Sequence, residues 1–297
     1  MRKAQLGTIY HSVTAQPFRK TQLTSVISPI YKFSDDLTGY ATWQHGEQAG
    51  IAQIVNGVSM LAKPQTTESY EIGLKSFFFD KTLTLNTDVF YTDISNYQQQ
   101  ISVLDEYTTA LNNDGINYYT SATLNAKKVK SWGIEVDGAY TGIENTALRF
   151  SAAYTDAWYA DFKDSPLAPE TDPATPEARR NPFQDLSGKT LPGASKFAFN
   201  VGGEYRHPVF TGFEAHTALN YSFQTGYNND LTLSKYGWVN GYGTADVAVG
   251  LGRKDKAFDV SFLVRNLLDT QPKAFGTSTG TLLTAPRWYG VVVSGQF

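Results

Sequence analysis

Long segments in which apolar and polar residues alternate are the feature of this sequence that most limits its fold. A period of two is that of a β-strand, because successive side chains of a strand point to opposite faces. Several such segments run for about 13–18 residues, whereas strands of soluble proteins usually have 3–10. The pattern therefore predicts an all-β fold with long strands. One of its clearest examples is the apolar set Phe258, Val260, Phe262 and Val264.

The sequence predicts eleven strands joined by connections that alternate in length. The strands are expected at 22–33, 37–45, 66–79, 82–97, 123–140, 147–159, 196–206, 213–225, 239–251, 257–268 and 284–297. Short turns are expected at 34–36, 80–81, 142–146, 207–212 and 252–256, and longer segments at 46–65, 98–122, 160–190, 226–237 and 269–283. Short turns at one end and long loops at the other are typical of outer-membrane β-barrels.

The polar face of these strands carries charged residues in most segments. Hydrocarbon disfavours a Lys or Arg at mid-depth by about 2–4 kcal/mol, so this face should look into an aqueous lumen. A soluble antiparallel sandwich with one solvated face would alternate in the same way, and strand length is what favours the barrel. The charged positions assigned to the lumen are Glu71, Lys75, Glu135, Asp137, Arg149, Glu204 and Arg265.

Composition agrees with a transmembrane barrel and excludes several other classes. Charged residues make up 18% and aromatic residues 14%, and aromatic girdles are common in such barrels. No window approaches the roughly 18 apolar residues that a membrane-spanning helix needs. A net charge of −3 leaves no electrostatic footprint for nucleic acid, and the absence of cysteine excludes disulfides and thiolate metal sites.

Six segments, in order along the chain, resemble stretches of TonB-dependent outer-membrane receptors of the siderophore-receptor type. In one of them, VRNLLD (264–269), Leu268 stands where a Phe is usual. The last predicted strand, which ends on Phe297, is similar to the final strand of Gram-negative outer-membrane barrels, with Gly295 where an aromatic is usual. The resemblance covers residues 22–297. Its segments are TTESYEIGLKS (66–76), LNTDVFYTDISNYQ (85–98), SWGIEVD (131–137), LSGKTLP (186–192), VRNLLD (264–269) and APRWYG (285–290).

The resemblance implies an antiparallel up-and-down transmembrane β-barrel portion, with residues 1–297 forming the C-terminal half of a plugged 22-stranded barrel. The plug domain, the TonB box and the N-terminal strands would lie outside this chain. Residues 4–16 lack the apolar core of a secretion signal, which again favours a longer protein. A strand formed by residues 5–16 would instead close a smaller barrel.

The function that the resemblance implies is TonB-dependent active transport across the outer membrane of a Gram-negative cell, usually of a ferric siderophore. The implied partners are outer-membrane lipid, TonB through the absent plug, and the barrel assembly machinery through Phe297. Neither enzymatic activity nor a cofactor is expected. The alternatives are a passive porin-like or autotransporter-type barrel and a soluble carbohydrate-binding β-protein.

Candidate ligand contacts lie in two of the long loops. Tyr107, Tyr118 and Tyr119 could stack on a siderophore or sugar and hydrogen-bond to it, although an aromatic belt would use the same residues. Arg179 and Arg180 lie in a proline-rich loop that is either a solvated surface segment or a rim that folds over a ligand.

Residues 276–280 match G-x-S-x-G, but a strand follows instead of the helix that a nucleophile elbow requires.

Overall fold

A computed structural model of the chain describes residues 19–116, 118–171, 183–255, 257–276 and 280–295. Within these ranges, one twelve-stranded antiparallel sheet is accompanied by four two-stranded pairs. In chain order the strands are β1 (Ser25–Ile27), β2 (Ile30–Ser34), β3 (Leu37–Gln48), β4 (Ile51–Val55), β5 (Val58–Ala62), β6 (Gln65–Phe78), β7 (Leu83–Leu104), β8 (Tyr119–Tyr140), β9 (Thr146–Asp161), β10 (Ser165–Pro166), β11 (Phe183–Gln184), β12 (Phe197–Phe210), β13 (Phe213–Gln224), β14 (Tyr227–Asn228), β15 (Trp238–Val239), β16 (Tyr242–Arg253), β17 (Asp259–Arg265), β18 (Lys273–Gly276), β19 (Thr281–Leu283) and β20 (Trp288–Ser294).

The large sheet is a meander in which each strand pairs with the next one along the chain. β1 and β2 both pair with β3, and the order continues through β6, β7, β8, β9, β12, β13, β16, β17 and β20. If β1 and β2 are counted as one position, the eleven positions correspond to the eleven predicted strands. The all-β, antiparallel prediction is therefore confirmed. Nothing among the described residues pairs β20 with β1 or β2, so the sheet is open.

Helices play a small part in the described residues. Helix α1 (Glu106–Asn112) lies between β7 and β8, and a 3-10 helix (Lys235–Gly237) precedes β15. In the part of the chain that the structure describes, no helix is long and apolar enough to cross a membrane.

The first predicted strand is interrupted at Pro29, which separates β1 from β2. The carbonyl of Pro29 accepts a hydrogen bond of 3.1 Å from the backbone N–H of Ala41 in β3. A residue in a strand directs its N–H and its carbonyl to the same side, so the donor that proline lacks would also have faced β3. The hydrogen-bond ladder to β3 therefore lacks one donor at Pro29. The backbone N–H groups that face away from β3 are not affected.

Two of the predicted connections are shorter than predicted. The turn predicted at 207–212 is confined to residues 211–212, because β12 continues through Pro208 to Phe210. Pro208 lies beyond the last residue paired with β9 and beside a register shift, a position where a missing N–H is tolerated. Loop 98–122 is also shorter than predicted, because β7 and β8 stay paired as far as Leu104 and Tyr119.

The register places apolar and polar side chains on opposite faces of the sheet. Residues paired across neighbouring strands share a face. One row, Leu219, Val247, Val264 and Tyr289, is apolar, and the adjacent row contains Asn220 and Asp246. When the registers are followed across the sheet, all seven charged residues predicted to face the lumen fall on the polar face, as predicted.

Among the described residues, no second layer packs against the apolar face. Val249 is 52% exposed and Phe262 50%, although both lie in the interior of the sheet. A soluble protein buries such a face, so the arrangement needs an apolar solvent.

Aromatic residues form a band across the apolar face. Trp43, Tyr70, Tyr91 and Trp132 share one row of the sheet. The Trp132 ring lies 5.5 Å from that of Tyr154 in the next row, and the band continues through contacts among Phe197, Phe199 and Phe223. A band that shifts from row to row is expected where strands tilt against a planar interface.

Candidate functional site

The polar wall between β3 and β8 carries a group of carboxylates. Asp88 and Glu135 are direct cross-strand partners. Tyr40 Oη donates a 2.6 Å hydrogen bond to Glu71 Oε1, and Asn86 Nδ2 donates one of 3.0 Å to Asp137 Oδ2. Among the described residues, no salt bridge joins any of these four carboxylates to a basic side chain.

Lysine is scarce on this wall, and Lys75 turns toward an aromatic ring. Its Nζ lies 5.7 Å from the centroid of the Tyr40 ring. Because these four carboxylates have no basic partner among the described residues, this section of the wall presents an acidic surface to whatever occupies the lumen.

Next to the carboxylates, small side chains leave a recess in the polar wall. A recess of about 470 Å³ lies between β8 and β16. Ala153 and Ala198 line its floor, Gln224 and Tyr242 lie on one side, and Glu135 lies on the other. The recess is open, and its lining combines the polar groups of Glu135 and Gln224 with apolar surface from small side chains.

The long-loop end holds the largest buried cluster of the described residues. Tyr159 and Val129 are completely buried, and Phe162 and Leu186 almost so. The rings of Tyr159 and Phe162 are 5.0 Å apart, and Tyr159 Oη donates a hydrogen bond to Gln99 Oε1. A core of this kind fixes the loop bases to each other.

Segment 231–235, in the loop between β13 and β16, receives side chains from the loop between β9 and β12 and from β7. Two of the contacts are amide to carbonyl, from Gln99 Nε2 at 3.2 Å and from Gln184 Nε2 at 2.8 Å. A third is made by Glu170, whose Oε2 accepts from Ser234 Oγ at 2.7 Å and whose Oε1 accepts from the Lys235 N–H at 2.8 Å. These contacts join the β9–β12 loop, the β13–β16 loop and β7 into one hydrogen-bonded layer.

The hydrogen bonds of this layer keep the Glu170 carboxyl ionised. Partial burial raises the pKa of the Glu170 carboxyl, but the hydrogen bonds from the Lys235 N–H and the Ser234 hydroxyl lower it by more, and the resulting pKa lies below the ordinary range. The ionised form is therefore the one that holds the two loops together.

The β4–β5 hairpin is fixed to the β7–β8 hairpin by side-chain amides. Gln53 Nε2 donates to the Thr123 carbonyl at 2.6 Å, and Gln53 Oε1 accepts from the Thr123 N–H at 2.9 Å. Asn56 Nδ2 donates to the Leu104 carbonyl at 2.9 Å. These contacts explain why β7 and β8 extend beyond their predicted ends: the hairpin covers residues that a free loop would leave in water.

The three predicted tyrosines lie at the tip of the β7–β8 hairpin, but they do not form one binding surface. Tyr107 lies in α1 and is exposed, as is Tyr119 at the start of β8. Tyr118 Oη donates to Asp114 Oδ2 at 2.8 Å. Among the described residues no ring contact joins the three, and their role in ligand binding stays a prediction.

The other predicted positions have different outcomes. Arg179, Arg180 and Phe297 lie outside the described residues, and so do residues 277–279 of the G-x-S-x-G match. The part of the chain that the structure describes contains no group of three or more His, Asp or Glu side chains able to hold a metal ion.

Two of the sequence motifs meet in space. Asp269 Oδ1 accepts a 2.9 Å hydrogen bond from the backbone N–H of Arg287, and this bond holds the pKa of the Asp269 carboxyl below its ordinary range. Asn266 Nδ2 donates to the carbonyl of Ala285 at 3.2 Å. The segments 264–269 and 285–290 thus fix the end of β17 against the start of β20.

Sequence reasoning missed Gln53, Gln99 and Glu170, which organise the loop end. Each acts on a partner at least 60 positions away, and no periodic pattern marks it. An excess of amide residues around 98–100 is the only local signal.

These features define a class of protein. A single-layer antiparallel meander, apolar on one face and acidic on the other, with short turns at one end and ordered loops at the other, is a section of an outer-membrane-type β-barrel.

The family model of the TonB dependent receptor-like β-barrel matches residues 8–267, and the chain belongs to this family. The family consists of outer-membrane transport receptors.

Solved structures of receptors have the same fold. The ferric yersiniabactin uptake receptor FyuA from Yersinia pestis superposes with a TM-score of 0.66 at 15% identity, over 90% of this chain and 36% of that one. The ferric preacinetobactin receptor BauA from Acinetobacter baumannii gives 0.60 at 19% identity, over 91% and 35%. The copper transporter OprC gives 0.64 at 14% identity, over 94% and 40%. The chain thus spans little more than a third of the length of these proteins.

Proposed function

We propose that this chain is one section of a TonB-dependent outer-membrane receptor that imports a scarce metal chelate, with a ferric siderophore as the first candidate. The single observation that carries the proposal is the family match over most of the chain, on a sheet whose apolar face is exposed. Residues 1–297 would form the C-terminal part of the barrel, and the plug and the remaining strands would come from sequence outside this chain.

The two faces of the sheet have different roles in this proposal. The apolar face contacts outer-membrane lipid, and the polar face lines the lumen. The acidic surface around Asp88 and Glu135 favours a lumen occupant with basic groups at that height, and we propose that the plug domain is this occupant.

The chain supplies a wall and loops and performs no bond chemistry. A ligand would contact the hydrogen-bonded loop layer first and would cross the lumen once TonB acts on the plug. Insertion of the barrel through Phe297 by the assembly machinery belongs to the same proposal. Ferric chelates are the first candidates because FyuA and BauA are receptors for them, and the copper transporter OprC makes copper the second.

The experiment that tests this function removes the segment encoding residues 19–295 from the producing bacterium. Uptake of labelled iron from a panel of ferric siderophores, and of labelled copper, is then measured under metal limitation. We expect uptake from at least one chelate to fall to the background rate, and a protonophore to have the same effect in the parent strain. The chain itself should be recovered with the outer membrane.

Three results would contradict the proposal. Unchanged uptake across the whole panel would remove the transport function. Uptake that depends on the segment but resists the protonophore would indicate a passive pore. Recovery of the chain in the soluble fraction would favour the carbohydrate-binding alternative.

A further inference from the structure

Two rows of side chains that cross neighbouring strands line the recess on the polar wall. Residues paired across strands share a face, so each row can be followed from β8 to β16. Both rows have a carboxylate on β8, a small residue on β9 and hydrogen-bonding side chains on β13 and β16. The first row is Glu135, Ala153, Ala198, Gln224 and Tyr242, and the second is Asp137, Ser151, Asn200, Ser222 and Thr244.

Several polar side chains of the recess have no hydrogen-bond partner within the described residues. Glu135 is one of them, and Gln224, Tyr242 and Thr244 are others at the opposite side of the recess. The amides of the loop layer differ, since the Nε2 of Gln184 donates to two carbonyls at 2.8 Å. The polar groups of the recess are therefore free to bind an occupant of the lumen.

The recess is inclined from the loop end of the wall toward the short-turn end. Gln224 is the last residue of β13 and Tyr242 is the first of β16, so this side of the recess lies next to the loop layer. Glu135 lies toward the short-turn end of β8. Three strand spacings of about 4.8 Å, or about 14 Å in all, separate Glu135 from Gln224. A ligand that leaves the loops would meet the uncharged groups first and the carboxylates last.

The lining of the recess selects the chemistry of such a ligand. The carboxylates of Glu135 and Asp137 favour a cationic group, and ammonium or guanidinium groups form the strongest hydrogen bonds to carboxylates. The floor formed by Ala153 and Ala198 suits methylene groups. The side-chain amide of Gln224 can both donate to and accept from amides or hydroxyls of the ligand. A chelate with a negative charge would be repelled at the carboxylate side.

We infer that the recess binds the transported chelate on its way through the lumen, and that this chelate is elongated, with a terminal ammonium group, an aliphatic stem and amide or hydroxyl groups. The inference rests on the proposed function and deepens it, since it names the class of ligand. The carboxylate side of the recess also faces the plug in that proposal. The plug and the chelate use it in turn, because the chelate enters the lumen only after TonB has acted on the plug.

The test compares two chelates that differ by a single charge. The first probe is the ferric complex of a linear trihydroxamate with a free terminal amine, and the second is the same complex with the amine acetylated. The two complexes coordinate iron in the same way and have nearly the same size. Uptake of labelled iron from each is measured in the producing bacterium under iron limitation, with the complete receptor carrying either the natural residue or a substitution.

We expect uptake of the amine-bearing chelate to be about five-fold faster than that of the acetylated one at limiting concentration. Glu135→Gln should remove most of this difference by slowing the amine-bearing chelate alone. Glu204→Gln is the matched control, because Glu204 lies on the polar face outside the recess, and it should change neither rate. Ala198→Phe places a ring on the floor of the recess and should slow both chelates, with the amount of receptor in the outer membrane measured by immunoblot.

Equal slowing of both chelates by Glu135→Gln would show that this carboxylate acts through the plug, and it would overturn the inference. Faster uptake of the acetylated chelate, or no uptake of the amine-bearing one, would overturn it as well. The proposed transport function would survive each of these results if uptake of another chelate still required residues 19–295. If uptake of no chelate required that segment, the proposed function itself would fail.

Discussion

At the residue scale, glycines allow large side chains of one strand to lie flat across the next. A Cβ at Gly73 would fall 2.5 Å from atoms of the Tyr40 ring, and one at Gly133 would fall 2.6 Å from the Phe90 ring. On the polar face this keeps the wall smooth and directs Tyr40 Oη to Glu71. The glycines are visible in the sequence, but the aromatic partner of each depends on the register, which the sequence pattern alone does not provide.

Gly73→Ala should destabilise the folded chain, because the new methyl group displaces the Tyr40 ring and breaks its hydrogen bond to Glu71. We expect a loss of about 1–3 kcal/mol in the free energy of unfolding in detergent, measured from urea titrations of tryptophan fluorescence. Gly46→Ala is the matched control, since nothing lies within 4 Å of its Cβ, and it should change stability little. Equal effects of the two substitutions would contradict this account.

Tyr159→Phe tests the buried hydrogen bond at the loop end. The substitution keeps the ring but leaves the oxygen of Gln99, which is 6% exposed, without its donor. An unsatisfied buried acceptor costs about 1–3 kcal/mol, and we expect a loss of that size in the same urea titration. Tyr107→Phe, at an exposed position, should have no measurable effect. A loss of less than about 0.5 kcal/mol for Tyr159→Phe would show that the bond contributes little.

At the element scale, the alternation of apolar and polar residues predicted the strands but not the structure of the loops. Alternation located all eleven strand positions, because one face of each strand is apolar over most of its length. It failed at 98–122 and 207–212, where neighbouring elements continue the pairing past the local pattern. The loop layer rests on contacts such as that of Glu170 with Lys235, whose partners lie far apart in the chain.

Acid should release the contact between Glu170 and segment 231–235. The folded-state pKa of Glu170 lies below its value of 4.5 in an unperturbed chain. Its contribution is thus complete above that value and is lost as the pH falls through the folded-state pKa. We expect the exchange protection of the Lys235 amide, corrected for the intrinsic rate, to be constant from about pH 7 to pH 5 and to fall below about pH 4.

Glu170→Gln removes the charge and should abolish this pH dependence, with protection low at every pH. Glu106→Gln, in the first turn of α1, is the control and should behave as the unaltered chain. Protection that is the same in Glu170→Gln and in the unaltered chain at neutral pH would contradict the role given to this carboxylate.

At the scale of the whole molecule, alternation predicted long strands with one apolar and one polar face, the family resemblance predicted a portion of a barrel, and the sheet has the predicted faces. They could not predict the interlocked loops or the recess on the polar wall, because both arise from side chains brought together by the register. The predicted tyrosines share a hairpin tip without forming one site, and the acidic wall between β3 and β8 is the better defined chemical feature.

The most direct test of the central claim is a spin-label scan along β13 in detergent micelles, made possible by the absence of cysteine. Single cysteines at Thr217, Leu219 and Tyr221 sample the apolar face, and those at His216, Ala218 and Asn220 sample the polar face. We predict a period of two, with the first set accessible to oxygen and the second to a water-soluble nickel chelate. A chain that is compact in plain buffer, with the first set shielded from both reagents, would contradict the claim.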